Sequence, residues 1–442
     1  MSKYIIETKE GPSFLYDVNS SKLFLEDGKT LFYIDPLLLG KGSNLHHLNV
    51  VKIVLGTKCN YRCSYCSQAF SRKNILDITL EDTKTFTQNL PTEVLNADRI
   101  EFWGGEPLVY LEHLKNLIPV IREAVPNAML SIVSNGALLT KEIGDFLAKY
   151  RVGLSISHDA YAHKTTRGID ILEDTEKVNC IKEVFSKINF ALNTGSLNTF
   201  NQSCSFNSTL SSQLLDPYAV QQWFNNKVGE KVPVSCDPVL SLGGGINNSN
   251  IQFSEQDLKA LCKHTYYAGL RVPGEYPYNL ANIGMDFLRN LYEHKELTKV
   301  SPSCSVHSNR FITLDLKGNI YTCQNQTKAK NILGNIYNGT NASTVVNSAK
   351  YPSYLTEKHC ANCPMAMLCK GGCSLKVLPK VAYIETCNAK FWFFLGIFST
   401  AFKRITGYTP CKIKGDIIRP IKNALNADSI SLKKYSELEI PI

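Results

Sequence analysis

Apolar residues recur along this chain with two different periods, and the change from one to the other divides it. Near the N-terminus the short runs Phe14-Leu15-Tyr16 and Leu23-Phe24-Leu25 are parted by a turn at Asn19-Ser20-Ser21. Asp27-Gly28 then gives a hairpin signal before Leu31 to Tyr33, so residues 1–48 read as a small β unit. From residue 49 to about 240, apolar strands alternate with amphipathic helices. Strands are expected at Val50–Leu55, Arg99–Trp103, Met129–Ser134, Val152–Ser157, Ile188–Asn193 and Val232–Cys236. Helices are expected at Leu80–Leu90, Glu112–Ala124, Lys141–Tyr150 and Asp174–Phe185, the first behind a Thr79 N-cap with Glu81 and Asp82 in its opening turn. Such alternation predicts an α/β fold with right-handed crossovers and a parallel sheet.

Residues 195–213, crowded with Ser, Asn, Thr and Gln, and the run Gly243-Gly244-Gly245 read as loops. Helices at Ser254–Leu270 and Asn282–Leu297 make 241–300 a helical bridge. The longest apolar run, Phe391–Phe398, is too short for a bilayer, which takes about 20 residues. It reads as a buried helix opening a C-terminal helix and tail at 391–442.

Composition narrows the classes. A chain of 442 residues with 44% apolar content is large enough for two or three packed domains. The net charge of +9 is spread thinly, with no Lys/Arg block and no basic stripe with interleaved aromatics, which argues against nucleic-acid binding. The excess positive charge can help to draw in an acidic substrate. The start Met1-Ser2-Lys3-Tyr4-Ile5-Ile6 has no hydrophobic signal core, so the expectation is a cytoplasmic protein, away from membranes, with its fifteen cysteines reduced.

Reduced cysteines at tight spacing point to metal or redox sites. Directly after the first barrel strand comes Cys59-x3-Cys63-x2-Cys66, with Tyr65 before the last thiol. Three thiolates hold three corners of a four-iron cluster, whose full ligation takes four cysteines, so one iron is left open to a chelating ligand. Zinc is the alternative, but structural zinc takes four ligands in paired groupings, and His46-His47 lie at the other end of the strand. The second strand runs into Gly104-Gly105-Glu106-Pro107, where two glycines permit close backbone approach and a carboxylate can accept from an ammonium group.

Together the two motifs resemble the radical S-adenosylmethionine (SAM) superfamily, with its C-x3-C-x-aromatic-C loop and GGEP turn. That resemblance implies a partial (β/α)6 TIM-like barrel over 49–240 with the site at the C-terminal ends of its strands. It implies a [4Fe-4S] cluster on Cys59, Cys63 and Cys66, SAM on the open iron, and reductive cleavage of SAM to a 5'-deoxyadenosyl radical. By the same resemblance Tyr65, Gly104, Gly105 and Glu106 flank SAM, with Glu106 receiving its amino group. Ser134, Asn135 and Ser157 fall to the ribose region and Arg167 to the carboxylate. Ser and Asn at strand ends also simply satisfy turns. His158 reads as a structural hydrogen-bonding histidine, with proton donation as its other role.

A second cysteine set follows: Cys304, Cys323, Cys360-x2-Cys363-x5-Cys369-x3-Cys373, and Cys387. A hairpin of Phe311–Asp315 and Asn319–Tyr321, turning at Lys317-Gly318-Asn319, brings Cys304 and Cys323 towards one another. The set resembles the SPASM auxiliary-cluster domain, here at 301–390. The family pattern gives Cys304, Cys323 and Cys373 to one auxiliary [4Fe-4S] cluster and Cys360, Cys363, Cys369 and Cys387 to a second. The first has an open iron or takes a fourth ligand such as Cys262 or Cys236. A zinc ribbon remains the competing reading of the late group.

SPASM enzymes typically modify peptides and proteins. The sulfatase-maturating group has an aspartate base after the second cysteine of this domain, where this chain has Gln324, an amide that cannot take a proton as a carboxylate does. The expectation is therefore a maturase that abstracts hydrogen from a ribosomal precursor peptide and forms an intramolecular cross-link, served by an electron donor such as flavodoxin or ferredoxin. Sulfatase maturation, a small-molecule radical reaction and a zinc-stapled adaptor are the alternatives. The N-terminal β unit either caps the barrel or contacts a leader peptide by sheet-edge pairing.

Overall fold

The computed structural model describes residues 3–39, 48–66, 68, 77–194, 203–239, 251–300, 310–348, 353–372, 380–422 and 430–442. The strands begin with the N-terminal set β1 (Lys3–Thr8), β2 (Phe14–Asp17) and β3 (Lys22–Phe24), paired antiparallel in sequence order. The alternating region then supplies β4 (Val50–Val54), β5 (Arg99–Trp103), β6 (Met129–Ser134), β7 (Val152–Ser157), β8 (Ser205–Leu210) and β9 (Val234–Pro238), neighbours in that order and all parallel. β10 (Phe311–Asp315) joins this sheet parallel to β4, and β11 (Asn319–Tyr321) and β12 (Gly334–Asn335) extend it antiparallel.

Three expected strands, β5 to β7, keep their boundaries. The expected strand Ile188–Asn193 is instead the end of a helix, Thr175–Thr194. Its buried residues Ile181, Val184, Phe185, Ile188 and Leu192 fall three or four apart, so the helical period simply continues through the stretch. The fifth parallel strand is β8, inside the segment expected to be a loop. Its hydroxyl-rich composition hid it. Buried hydroxyls there are paired, Ser205 Oγ lying 2.7 Å from Ser155 Oγ and Ser208 Oγ donating to the His158 carbonyl at 2.5 Å. The Gly243–Gly245 run lies outside the described residues.

The C-terminal tail is likewise structured. β13 (Pro410–Lys422) pairs with β1, and β14 (Ile430–Glu439) with β13, giving a five-stranded sheet in the order β14-β13-β1-β2-β3. The N-terminal β unit is thus not separate from the chain's end, because β1 sits between strands from both termini. The alternation Lys412-Ile413-Lys414, with Ile413 fully buried, is the strand signal in that tail. This sheet packs on the 27-residue helix Lys380–Thr406, which contains the apolar run Phe391–Phe398. Phe14 meets Phe402 edge-on at 5.1 Å, and Tyr16 meets Phe398 at 5.5 Å. Among the described residues no helix is long and apolar enough to cross a membrane.

Phe14 ties the sheet to the long helix and is 1% exposed, whereas Ile5, 44% exposed, faces outward from the neighbouring strand. Phe14→Ala should cost about 3–5 kcal/mol in urea unfolding, and Ile5→Ala about 0.5 kcal/mol or less.

Candidate active site

The Cys59–Cys66 loop leaves the C-terminal end of β4 and is fastened from the next three strand ends. Gly105 N donates to Gly56 O at 3.1 Å and Glu106 N to Lys58 O at 2.9 Å. A Cβ on Gly105 would stand 2.3 Å from Lys58 O and 2.5 Å from Thr57 O, so backbone packs directly on backbone there. The two glycines therefore serve the approach of the cysteine loop itself. Tyr110 Oη accepts from Lys58 N at 2.7 Å. From the end of β6, Asn135 Nδ2 donates to Asn60 Oδ1 at 2.7 Å. Beyond β7, the Thr166 carbonyl accepts from Ser64 N at 2.8 Å and Ser64 Oγ at 3.0 Å, and the Ile169 carbonyl from Tyr61 Oη at 2.9 Å.

Glu106 is 2% exposed and collects three donors. Oε1 accepts from Ser134 Oγ at 2.7 Å and Leu108 N at 3.0 Å, and Oε2 from Asn135 N at 2.7 Å. Burial raises its pKa, and these hydrogen bonds offset part of that rise. The structure thus brings Glu106, Ser134 and Asn135 together as one polar knot joining β5 to β6. A carboxylate with about four lone-pair sites retains room for one more donor.

Asp159, to which no motif assigns a role, is the most heavily used side chain here. Oδ2 accepts from Thr166 Oγ1 at 2.7 Å and from the Tyr65 hydroxyl, and Oδ1 from Thr209 N at 3.0 Å. Arg167 Nε lies 3.0 Å from Oδ2, and its guanidinium sits over the Tyr65 ring at 5.3 Å. Burial works to raise the Asp159 carboxyl, but Arg167 and these donors together hold it below its ordinary value. Arg167 is accordingly paired within the protein. Ser157 ends β7 two residues before Asp159 and is half-buried. An acid two residues past a strand end, with an arginine eight residues further on, is the signal that was there to find.

His158 is buried, with Nε2 2.7 Å from Asp170 Oδ1 and its ring stacked on His163 at 3.8 Å, which fits the structural role expected for it. Burial, His158 and Arg167 drive the His163 pKa down to about 3, with Asp159 and Asp170 pulling the other way.

Burial pushes the Cys63 thiol up to about 11, and Arg167 beside it works in the opposite direction. Cys59 and Cys66 lie close enough to act electrostatically on it. Among the described residues no three His, Cys, Asp or Glu side chains come close enough to share one metal ion. The thiols of a four-iron cluster each hold a separate iron. The three thiols stand half-buried on one loop within electrostatic reach of one another, with the Arg167 cation beside Cys63 to favour the thiolates that metal binding needs, so the trio fits such a group.

The late cysteines also assemble. Cys360, Cys363, Cys369 and Cys387 line one cavity with Phe391 and Arg419. Burial pushes Cys363 up to about 12, against the pull of Arg419. Cys323 follows β11, its Sγ donating to Gln324 Oε1 at 3.4 Å, and the Gln324 carbonyl accepts from Gln68 Nε2 at 3.2 Å. Cys304 and Cys373 lie outside the described residues. Cys236 and Cys262 are fully buried, on β9 and in the helix Glu255–Gly269.

Composition did not flag the strand face that these loops crown. On β5 to β9, Ile100, Phe102, Leu130, Ile132, Leu154, Ile156 and Phe206 are buried. Their alternates Arg99, Glu101, Ser131, Ser155, Asn207 and Ser235 are half-buried and polar. Lys52 Nζ and Arg99 Nε lie 3.0 and 2.9 Å from the Glu101 carboxylate, whose pKa they lower against the effect of burial.

Residues 53–204 match the family model of the Radical SAM superfamily. The radical SAM cyclopropyl synthase TigE of Paramaledivibacter caminithermalis is 24% identical over 364 residues, 74% of this chain and 68% of TigE. An S-adenosylmethionine-dependent nucleotide dehydratase of Selenomonas ruminantium is 31% identical over 132 residues, 29% of this chain and 45% of its own length. Among solved structures, native anSMEcpe with bound AdoMet and Cp18Cys peptide has a TM-score of 0.58 at 18% identity, over 81% of this chain and 98% of that one, a likeness of fold.

Two measurements check this geometry. Gly105→Ala should cost about 1–3 kcal/mol through overpacking and lower the iron retained after anaerobic reconstitution, because the added methyl meets main-chain oxygens that cannot turn aside. Below its ordinary pKa of 6.5 an unfolded His163 takes up a proton that the folded one refuses until about pH 3, so stability should fall as pH drops through that window. Asp159 and Asp170, held below 3.8, deepen the loss only at its acid end. In urea melts across pH 7 to 4.5, His163→Gln should flatten the slope.

Residues 53–204 thus carry a radical SAM domain of α/β fold, and the chain is an enzyme of radical oxidoreductase type that works with SAM and an iron-sulfur cluster.

Proposed function

We propose that this enzyme is a peptide maturase of the SPASM type, which removes hydrogen from a ribosomally made precursor peptide and closes an intramolecular cross-link. The observation that carries the reading is the convergence of Cys360, Cys363, Cys369 and Cys387 on one cavity, the same four that the resemblance assigns to one cluster. In this reading Cys59, Cys63 and Cys66 hold the cluster that takes SAM, and residues 49–240 act as a partial barrel around it. Cys304, Cys323 and Cys373 hold a first auxiliary cluster, and the four converging thiols hold a second. These groups, when bound, supply a 5'-deoxyadenosyl radical and an acceptor for the surplus electron.

The chain's own residues do the rest. Glu106, steadied by Ser134 and Asn135, offers its remaining lone pairs to the SAM ammonium, with Gly104 and Gly105 fixing the loop beside it. Asp159 clamps Tyr65 and Arg167 and so holds the guanidinium beside Cys63. Ser157, half-buried at the end of β7, faces the ribose. The half-buried polar face of β5 to β9 gives an extended peptide hydrogen-bonding partners, with Arg99, Lys52 and Glu101 as its charged floor. The β14 edge of the five-stranded sheet can pair with a leader segment, whereas β3 is already bonded on its outer side by Thr30 and Phe32.

One similarity agrees with a peptide reading, that to anSMEcpe, solved with a bound peptide. Gln324 argues against the sulfatase type, since an amide cannot take a proton as a carboxylate does. Flavodoxin or ferredoxin as donor and a cytoplasmic setting complete the proposal.

The test is anaerobic turnover with reductant, SAM and the peptide encoded beside the gene. The product should be lighter by two hydrogens, with 5'-deoxyadenosine formed, and the protein should carry about twelve irons for three cubane clusters. Cys59→Ala should abolish SAM cleavage while auxiliary iron persists, whereas Cys323→Ala should spare uncoupled cleavage. An unchanged peptide mass, or one or two zinc ions in place of iron, would contradict the reading.

A further inference from the structure

We propose that Arg419 raises the reduction potential of the cluster held by Cys360, Cys363, Cys369 and Cys387. The inference rests on the reading of those four thiols as cluster ligands. Arg419 is remote from the cysteine pattern, coming from β13 in the other sheet, yet it is the charged side chain that lines their cavity. It is 7% exposed. Nη1 stands 3.9 Å from Cys363 Sγ, while Nη2 donates to the Cys387 carbonyl at 3.1 Å and Asn388 Oδ1 at 2.9 Å. The guanidinium lies over the Phe391 ring at 3.9 Å, and Ile418 N donates to Asn362 O at 3.3 Å, so β13 is docked onto the thiol-bearing turn.

That placement has a definite electrostatic consequence. Four thiolates make a cubane cluster anionic in both redox states, and the electron it gains adds one further negative charge. A fixed cation in a low-dielectric site stabilises the more negative state more, and an N–H directed at a ligand sulfur acts in the same direction. Arginine suits the position because it stays protonated and its planar fork serves sulfur, carbonyl and amide at once. No bond changes at Arg419 when the electron arrives. Lys390 also acts on Cys369, so it is a second cation whose contribution stays constant when only Arg419 is altered.

The test uses the full chain with Cys59, Cys63, Cys66 and Cys323 each changed to Ala, reconstituted anaerobically and titrated with reductant under electron paramagnetic resonance (EPR). A single reduced-cluster signal is expected. Its midpoint should move to lower potential in Arg419→Gln and return most of the way in Arg419→Lys. Protein labelled with [15N]arginine should show a weak nitrogen coupling to that signal, lost in Arg419→Lys. Equal midpoints for Arg419 and Arg419→Gln at equal iron content would overturn the proposal. Should Arg419→Gln fail to take up iron, the nitrogen coupling decides, its absence from the Arg419 protein counting against the proposal. A parent chain with no EPR-active cluster would instead overturn the four-thiol reading, and this inference with it.

Discussion

A thiol buried in protein stays protonated unless positive charge compensates for the lost water, and both cysteine groups of this chain are built under that constraint. Burial pushes Cys63 and Cys363 upward, and in each case the opposing influence is a buried arginine that the cysteine spacing does not contain. Arg167 reaches the first group from the segment after β7, and Arg419 reaches the second from β13. Each is held in place by other parts of the fold, Arg167 by Asp159 and Arg419 by Asn388 and the Cys387 carbonyl. The metal would complete what the arginines begin.

The rest of the architecture serves to hold the first group still. The Cys59–Cys66 loop has no regular secondary structure, so its geometry is set by hydrogen bonds from the ends of β5 and β6 and from the turn after β7. Parallel strands in this order bring those ends to one rim, and Gly105 lets two main chains meet where any side chain would part them. The polar inward face of β5 to β9 is the other half of the same design. The helices take the apolar alternates, which leaves Lys52, Arg99 and Glu101 to pair with one another on the other face.

Much of this was legible because it follows from local rules. β5, β6 and β7 are short apolar runs between polar turns, and Thr79 with Asp82 forms the capping box that its spacing announces. Cys360, Cys363, Cys369 and Cys387, grouped by the family pattern, line one cavity. What escaped depends on partners far along the chain. Ser205–Leu210 is a strand because Ser155 and the His158 carbonyl satisfy its hydroxyls, and no window of sequence contains those partners. The helix over Ile188–Asn193 was hidden by apolar residues that suit a short strand equally well. β13 and β14 escaped because their pairing joins the two ends of the chain, and Asp159 because partners from three separate segments make its importance.

The central claim is that the Cys59, Cys63 and Cys66 trio leaves one iron open to the amino and carboxylate groups of SAM. It is tested most directly by electron-nuclear double resonance on the reduced protein mixed with SAM labelled with 15N in its amino group and 17O in its carboxylate. The account predicts hyperfine coupling from both labels on the one signal that Cys63→Ala removes. Absence of either coupling, or couplings that survive that substitution, would contradict it.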